Sequence, residues 1–231
     1  MPVRAVLFDL DDTLIDWEGS IDRCLRDIAS DDLADTLLAW VREHHWTRRG
    51  GVVVHRNTWK VHELADDCWP AALPHVDPDD LALTLKRFRD ELWVGFFPDV
   101  VPALDLLADT HRLAVLSNNR HLPAEARRLR LADWFEATLT PTAGVYKPDP
   151  IAFFEACETL GVEPGDVVHV GDSVLADVEG ALAAGLVPVW LDRYGDGSRP
   201  PPAVHRIASL TDLPALLGRL TSGLADPNHE R

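Results

Sequence analysis

Val3-Arg4-Ala5-Val6-Leu7-Phe8-Asp9-Leu10-Asp11-Asp12-Thr13-Leu14 is the stretch whose reading decides the fold. Residues 3–10 are mostly apolar and partly β-branched, and the run closes on Asp9 and Asp11. An apolar run without alternation signals a strand buried on both faces, as in a parallel sheet. Shorter runs of the same kind stand at 113–116, 167–170 and 187–191, with helical spacing at 151–160 and 174–184 between them. Strands alternating with helices predict an α/β fold with a doubly wound parallel sheet. Such sheets bind ligands at the carboxyl ends of their strands, so the informative residues should follow each run.

From Trp17 to about Phe97 the pattern changes. Ile21, Cys24, Leu25 and Ile28 follow i, i+3, i+4, i+7, and Leu33, Leu37, Trp40, Val41 and His44 keep similar spacing behind Ser30, a candidate N-cap. Residues 79–93 repeat the habit. The chain is therefore expected to form a catalytic core from residues 1–16 and 98–231, with an inserted α-helical cap over 17–97. Arg48-Arg49-Gly50-Gly51 reads as a break between cap helices. Trp40, Trp59 and Trp93 read as packing residues of the cap, and 221–231 as a loose polar tail.

Composition narrows the function. The 231 residues are 46% hydrophobic and carry a formal net charge of −16. Such a charge opposes binding to nucleic acid or to anionic membrane, and repels phosphorylated small molecules unless a local positive site receives them. No apolar stretch approaches the roughly 20 residues of a membrane span. Cys24, Cys68 and Cys157 are far apart and odd in number, which suits a reducing cytoplasm better than a disulfide framework or a zinc site.

Four short elements follow the apolar runs. Asp9 and Asp11, two residues apart, can divide nucleophilic attack, metal binding and acid–base work between them, although such a pair alone is as readily a solvated turn. Leu116-Ser117-Asn118-Asn119 offers a hydroxyl and N–H groups for phosphate oxygens, or simply a turn. Tyr146-Lys147-Pro148-Asp149-Pro150 offers a cation at a helix entry, or a solvated loop. The fourth, 168–185, ends a strand in Gly171-Asp172 and starts a helix near Asp177 with small residues suited to close packing.

Together and in this order the four elements resemble the motifs of the haloacid dehalogenase superfamily, in the subgroup with a helical cap after the first motif. The resemblance implies a Mg²⁺-dependent phosphatase that hydrolyses a small phosphorylated metabolite through an aspartyl-phosphate intermediate. It implies that Asp9 is the nucleophile and a metal ligand, Asp11 the acid/base and a ligand through its backbone carbonyl, and Asp172 the third ligand. Ser117, Asn118 and Lys147 would hold the phosphoryl group, and Asp177 would orient Lys147 or the metal shell. Asp12 departs from the glycine common at that place, which puts the backbone near Thr13 in question. A haloacid dehalogenase, a phosphomutase and a non-catalytic phospho-accepting or binding module are the alternatives. Asp11 weighs against the first, because halide leaves without a proton. The physiological substrate, a monomeric or homodimeric state, and the use of Arg48, Arg49 and His55 in the cap are left open by the sequence.

Overall fold

A computed structural model describes residues 3–44, 46–49, 52–56, 63–119, 122–142, 144–195, 200–202 and 204–222, with the backbone alone at 46–49 and 52–56. In chain order, β1 (Ala5–Phe8) is followed by α1 (Trp17–Ile28), α2 (Asp31–His44), β2 (Trp46–Arg49), β3 (Val52–Arg56), α3 (Trp69–Ala72) and α4 (Pro78–Glu91). Then come α5 (Val100–Leu107), β4 (Arg112–Leu116), α6 (Leu122–Arg128), β5 (Ala137–Leu139), α7 (Pro150–Leu160) and β6 (Val167–Gly171). A π-helical turn (Val174–Glu179) leads into α8 (Gly180–Ala183), and β7 (Val187–Leu191), β8 (His205–Ile207) and α9 (Leu213–Ser222) complete the chain. None of the helices among the described residues is long and apolar enough to cross a membrane.

The chain divides into two compact units, Met1–Ile15 with Phe96–Arg231, and Asp16–Gly95. The first holds a six-stranded parallel sheet in the order β5-β4-β1-β6-β7-β8. Its central strand β1 has no exposed surface at any of its four residues, as the apolar run predicts. Leu7, Ala114, Leu116, Phe153, Ala156 and Ala181 pack together on one face, beneath α7 and α8. On the other face Phe8 meets Phe135 edge to face at 5.8 Å between centroids. The short edge strands β5 and β8 carry too little apolar sequence to announce themselves.

The second unit is mainly helical, and Ile21, Leu25, Leu37, Leu38, Trp69 and Phe88 form its core. Asp16 caps α1 by accepting from the Gly19 N–H, and Asp77 caps α4 by accepting from Asp79 and Asp80. The expected break falls between α2 and α3, and there Arg48 and Arg49 lie in β2, which pairs antiparallel with β3. Val52-Val53-Val54 is the β-branched run that makes β3. Arg48 and Arg49 lie on β2 and His55 on β3, with their side chains outside the description, as are Gly50, Gly51, Trp59 and residues 223–231.

Of the tryptophans expected to pack the cap, Trp40 lies partly buried against its core and stacks on His44 at 4.2 Å, whereas Trp93 is 61% exposed. Trp69 has no exposed surface and meets Phe88 edge to face at 4.9 Å. The two units are joined by chain segments that run side by side at the crossing. Ile15 pairs antiparallel with Phe96, and the Asp16 N–H donates to Gly95 O at 2.8 Å. Truncating Trp69 to alanine should cost about 3–5 kcal/mol in urea unfolding, while Trp93→Ala should change stability by less than about 1 kcal/mol. Equal losses would show that Trp69 does not anchor this core.

Candidate active site

Strand register assembles the site. Phe8 lies opposite Val115 on one side and Val170 on the other, so the residues just beyond β1, β4 and β6 emerge at one edge of the sheet. The ladder continues through the Asp9 N–H, which donates to Val170 O at 2.9 Å, and the Ser117 N–H, which donates to Leu139 O at 3.0 Å. Asp9, Ser117 and Asp172 are thereby brought together from three distant parts of the chain. Beyond Asp9 the backbone turns at Asp12, whose φ is 61°. Glycine takes that left-handed conformation without penalty, and aspartate is among the side chains that tolerate it, which answers the question raised by Asp12.

Lys147 reaches the same point from the loop before α7. Its ammonium Nζ lies 2.6 Å from Asp9 Oδ1 and 2.6 Å from Asp177 Oδ1, and its side chain is 2% exposed. The main chain of Lys147 is held as firmly. Asn118 Nδ2 donates to Lys147 O at 3.0 Å, and the Lys147 N–H donates to Asn118 Oδ1 at 2.9 Å. Asn118 therefore engages the lysine loop with its side chain. Ser117 Oγ is 3.4 Å from Asp11 Oδ2, and Asn119 Nδ2 donates to Asp11 Oδ1 at 3.2 Å. Both oxygens of Asp11 thus face the second element.

Small residues make these approaches feasible. A Cβ at Gly171 would sit 2.2 Å from Asp177 Cγ, and one at Gly180 would sit 2.9 Å from Pro148 Cα. The first glycine admits the Asp177 carboxylate against the strand end. The second lets α8 lie on the lysine loop.

The charges are unevenly compensated. Asp9, Asp11, Asp172 and Asp177 are four carboxylates around one ammonium. Burial pushes the Asp9 carboxyl well above its ordinary pKa, Asp177, Asp172 and Asp11 push the same way, and Lys147 pulls against them. Burial acts to lower Lys147, yet Asp177 and Asp9 overturn it and hold the ammonium above its ordinary value. Asp177 stays below the usual carboxylate range despite burial, because Lys147 and His169 both favour its ionised form.

The excess of negative charge suits a cation. Asp9, Asp172 and Asp177 each offer a carboxylate oxygen, all within 4.8 Å of one another. Hard oxygen donors of this kind fit a hard divalent ion rather than a thiophilic one. Asp177 is already engaged by three protein groups, the Lys147 ammonium and His169 Nε2 at Oδ1 and the Ser173 N–H at Oδ2, the last at 3.0 Å. Asp9 and Asp172 are therefore the better ligands. The cysteines lie outside this chemistry, since burial pushes the Cys24 and Cys157 thiols up to about 11.

Asn119, Thr13 and His169 belong to the site without having been singled out from the sequence. Thr13 Oγ1 is 3.5 Å from Asp172 Oδ1. For His169 there was a signal, a polar side chain in an otherwise apolar buried run, which must find a partner inside the protein.

The chain belongs to the haloacid dehalogenase-like hydrolase family, whose model matches residues 3–185. It is 28% identical to the N-acylneuraminate-9-phosphatase of Mus musculus, over 93% of this chain and 94% of that protein. With the phosphoglycolate phosphatase (plasmid) of Cupriavidus necator it shares 33% identity over 94% of each chain. The crystal structure of a 2-haloacid dehalogenase from Pseudomonas syringae pv. Tomato superposes with a TM-score of 0.57 at 29% identity, covering 94% of this chain and 99% of that one. Relatives thus divide between phosphatases and haloacid dehalogenases.

Gly171→Ala should destabilise the protein by about 1–3 kcal/mol in urea unfolding, because the added methyl collides with a carboxylate held by three donors. Gly165→Ala, whose methyl meets nothing within 4 Å, serves as the control and should leave stability unchanged or slightly raised. Matching behaviour of the two variants would contradict the close approach at Asp177.

Proposed function

We propose that the chain is a Mg²⁺-dependent phosphatase that hydrolyses a small phosphorylated metabolite through an aspartyl-phosphate on Asp9. The observation that carries this reading is Asp11. Its carboxylate is poised beside the nucleophile by Ser117 and Asn119, and a second carboxyl group there has work to do in ester cleavage and none in halide release. One oxygen of Asp9 attacks phosphorus as the ester P–O bond breaks, and Asp11 gives its proton to the departing alkoxide. In the second half-reaction Asp11 takes a proton from water as the water oxygen attacks the same phosphorus. Inorganic phosphate leaves and the Asp9 carboxylate is restored.

Lys147 balances negative charge on Asp9 and on the transferring phosphoryl group. Ser117 and the N–H groups that follow β4 receive phosphoryl oxygens. Asp9, Asp172 and the Asp11 carbonyl would hold Mg²⁺, which when bound neutralises the excess charge and polarises the phosphoryl group. This local positive charge resolves the conflict between a net charge of −16 and an anionic substrate. The inserted unit would select the substrate. A reducing cytoplasm accords with three cysteines that are all free, and a monomer or homodimer is the assembly proposed.

Exhaustive chelation should abolish turnover and added Mg²⁺ should restore it, as followed by phosphate release. Asp11→Asn should lower kcat by about 10²-fold or more on an alkyl phosphate and by clearly less on p-nitrophenyl phosphate, whose leaving group needs no proton. Equal losses on the two esters would defeat the acid role. Chloride release from chloroacetate without phosphate release from any ester would replace the phosphatase reading with the dehalogenase one.

A further inference from the structure

His169 sits in the middle of β6, a strand buried along its whole length, and is 1% exposed. The other positions of this strand are valine and glycine. An imidazole in such a place carries a desolvation cost that valine or isoleucine would avoid. Its geometry shows what it does there. Nε2 lies 3.0 Å from Asp177 Oδ1, the same oxygen that receives the Lys147 ammonium, and the ring stands edge-on to Phe153 at 5.0 Å and 86°.

Three donors converge on Asp177, and they differ in stiffness. Lys147 ends a four-carbon chain and can follow the carboxylate wherever it rotates. The Ser173 N–H holds the far oxygen from the turn itself. His169 is the donor anchored in the sheet, with its backbone fixed by the ladders to β1 and β7 and its ring by Phe153. With Oδ1 held from β6, the ammonium has one place to sit, and in that place it touches Asp9.

We propose that His169 is a positioning residue for catalysis, donating Nε2–H to Asp177 Oδ1 and so fixing the carboxylate that aims Lys147 at Asp9. The proposal rests on the reading of Asp9 as nucleophile and is indifferent to whether phosphorus or carbon is attacked. It extends the chain of contacts inward, from Asp9 through Lys147 and Asp177 to a side chain that touches neither substrate nor metal.

Two variants test it. In His169→Gln the amide nitrogen falls where Nε2 was, so the donor is kept, whereas His169→Leu fills the space without a donor. We expect kcat to fall about 10-fold in His169→Leu with KM changed less than about 2-fold, and to return to within about 3-fold of wild type in His169→Gln. Wild-type turnover is measured first on p-nitrophenyl phosphate and on chloroacetate. Inactivity on both would count against the functional reading alone, because the hydrogen bond has its own readout. In ¹⁵N spectra of the wild-type protein the His169 proton should reside on Nε2, and the Lys147 ammonium signal should shift in His169→Leu and recover in His169→Gln. A proton on Nδ1 with Nε2 bare would overturn the proposal. So would an unaltered ammonium signal, unchanged kcat in His169→Leu, or equal losses in both variants, which would reduce His169 to packing.

Discussion

The buried ammonium of Lys147 is the constraint on which the site and much of the fold depend. An ion removed from water costs several kcal/mol unless partners surround it, and here Asp9 and Asp177 do so at 2.6 Å each. Removing any one of the three strands the others, an imbalance of about 3–5 kcal/mol in comparable buried pairs. The loop before α7, the end of β1 and the turn after β6 must therefore meet within a fraction of an ångström. Asn118 locks the loop to the end of β4, and two glycines supply the space for the last approach. Stability and preorganisation are one requirement at this point.

A second, partly buried ion pair braces the turn beyond the first strand. Arg193, at the end of β7, donates to Asp99 Oδ2 and to Thr13 O, both at 2.8 Å, and its guanidinium lies 4.0 Å from the centre of the Phe97 ring. Although burial pushes the Asp99 carboxyl up, Arg193, the Leu210 N–H and Ser209 together hold it below its ordinary range. The turn carrying Asp11 to Thr13 is thus tied at Thr13 O to the end of β7 and to Asp99. Both pairs use the carboxyl ends of parallel strands, where backbone groups leave the ladder and side chains must take over.

How much of this was legible in the sequence followed from how continuous the signals were. The unbroken apolar runs of β1, β4, β6 and β7 announced a parallel sheet, and the acidic and polar residues just beyond them announced the site. The edge strands β5 and β8 are three residues each, too short for periodicity to register. In the inserted unit the dominant helical spacing conceals the Val52-Val53-Val54 strand, and spacing alone does not separate Trp93, which is exposed, from Trp69, which is packed on Phe88. Asn119 is hidden for another reason, because its role consists of reaching a carboxylate 108 residues away, a property of three-dimensional placement that no local pattern encodes. His169 stands out as a polar side chain in an apolar run, but the run does not name the carboxylate it meets.

The crossing between the two units has a consequence for how such a protein can change over generations. Ile15 and Phe96 are bridged, and Asp16 and Gly95 are hydrogen-bonded, so the sheet meets the whole intervening segment as a detour that leaves and returns at nearly one spot. The entropy of closing a loop grows only slowly with its length, so once the two ends are clasped the size and internal design of the detour matter little to the sheet. Helices there can be lengthened, trimmed or exchanged while the register that aligns Asp9 with Asp172 is untouched. The two units can then drift on separate clocks, the one frozen by a buried ammonium and the other free to be redrafted by insertion and loss.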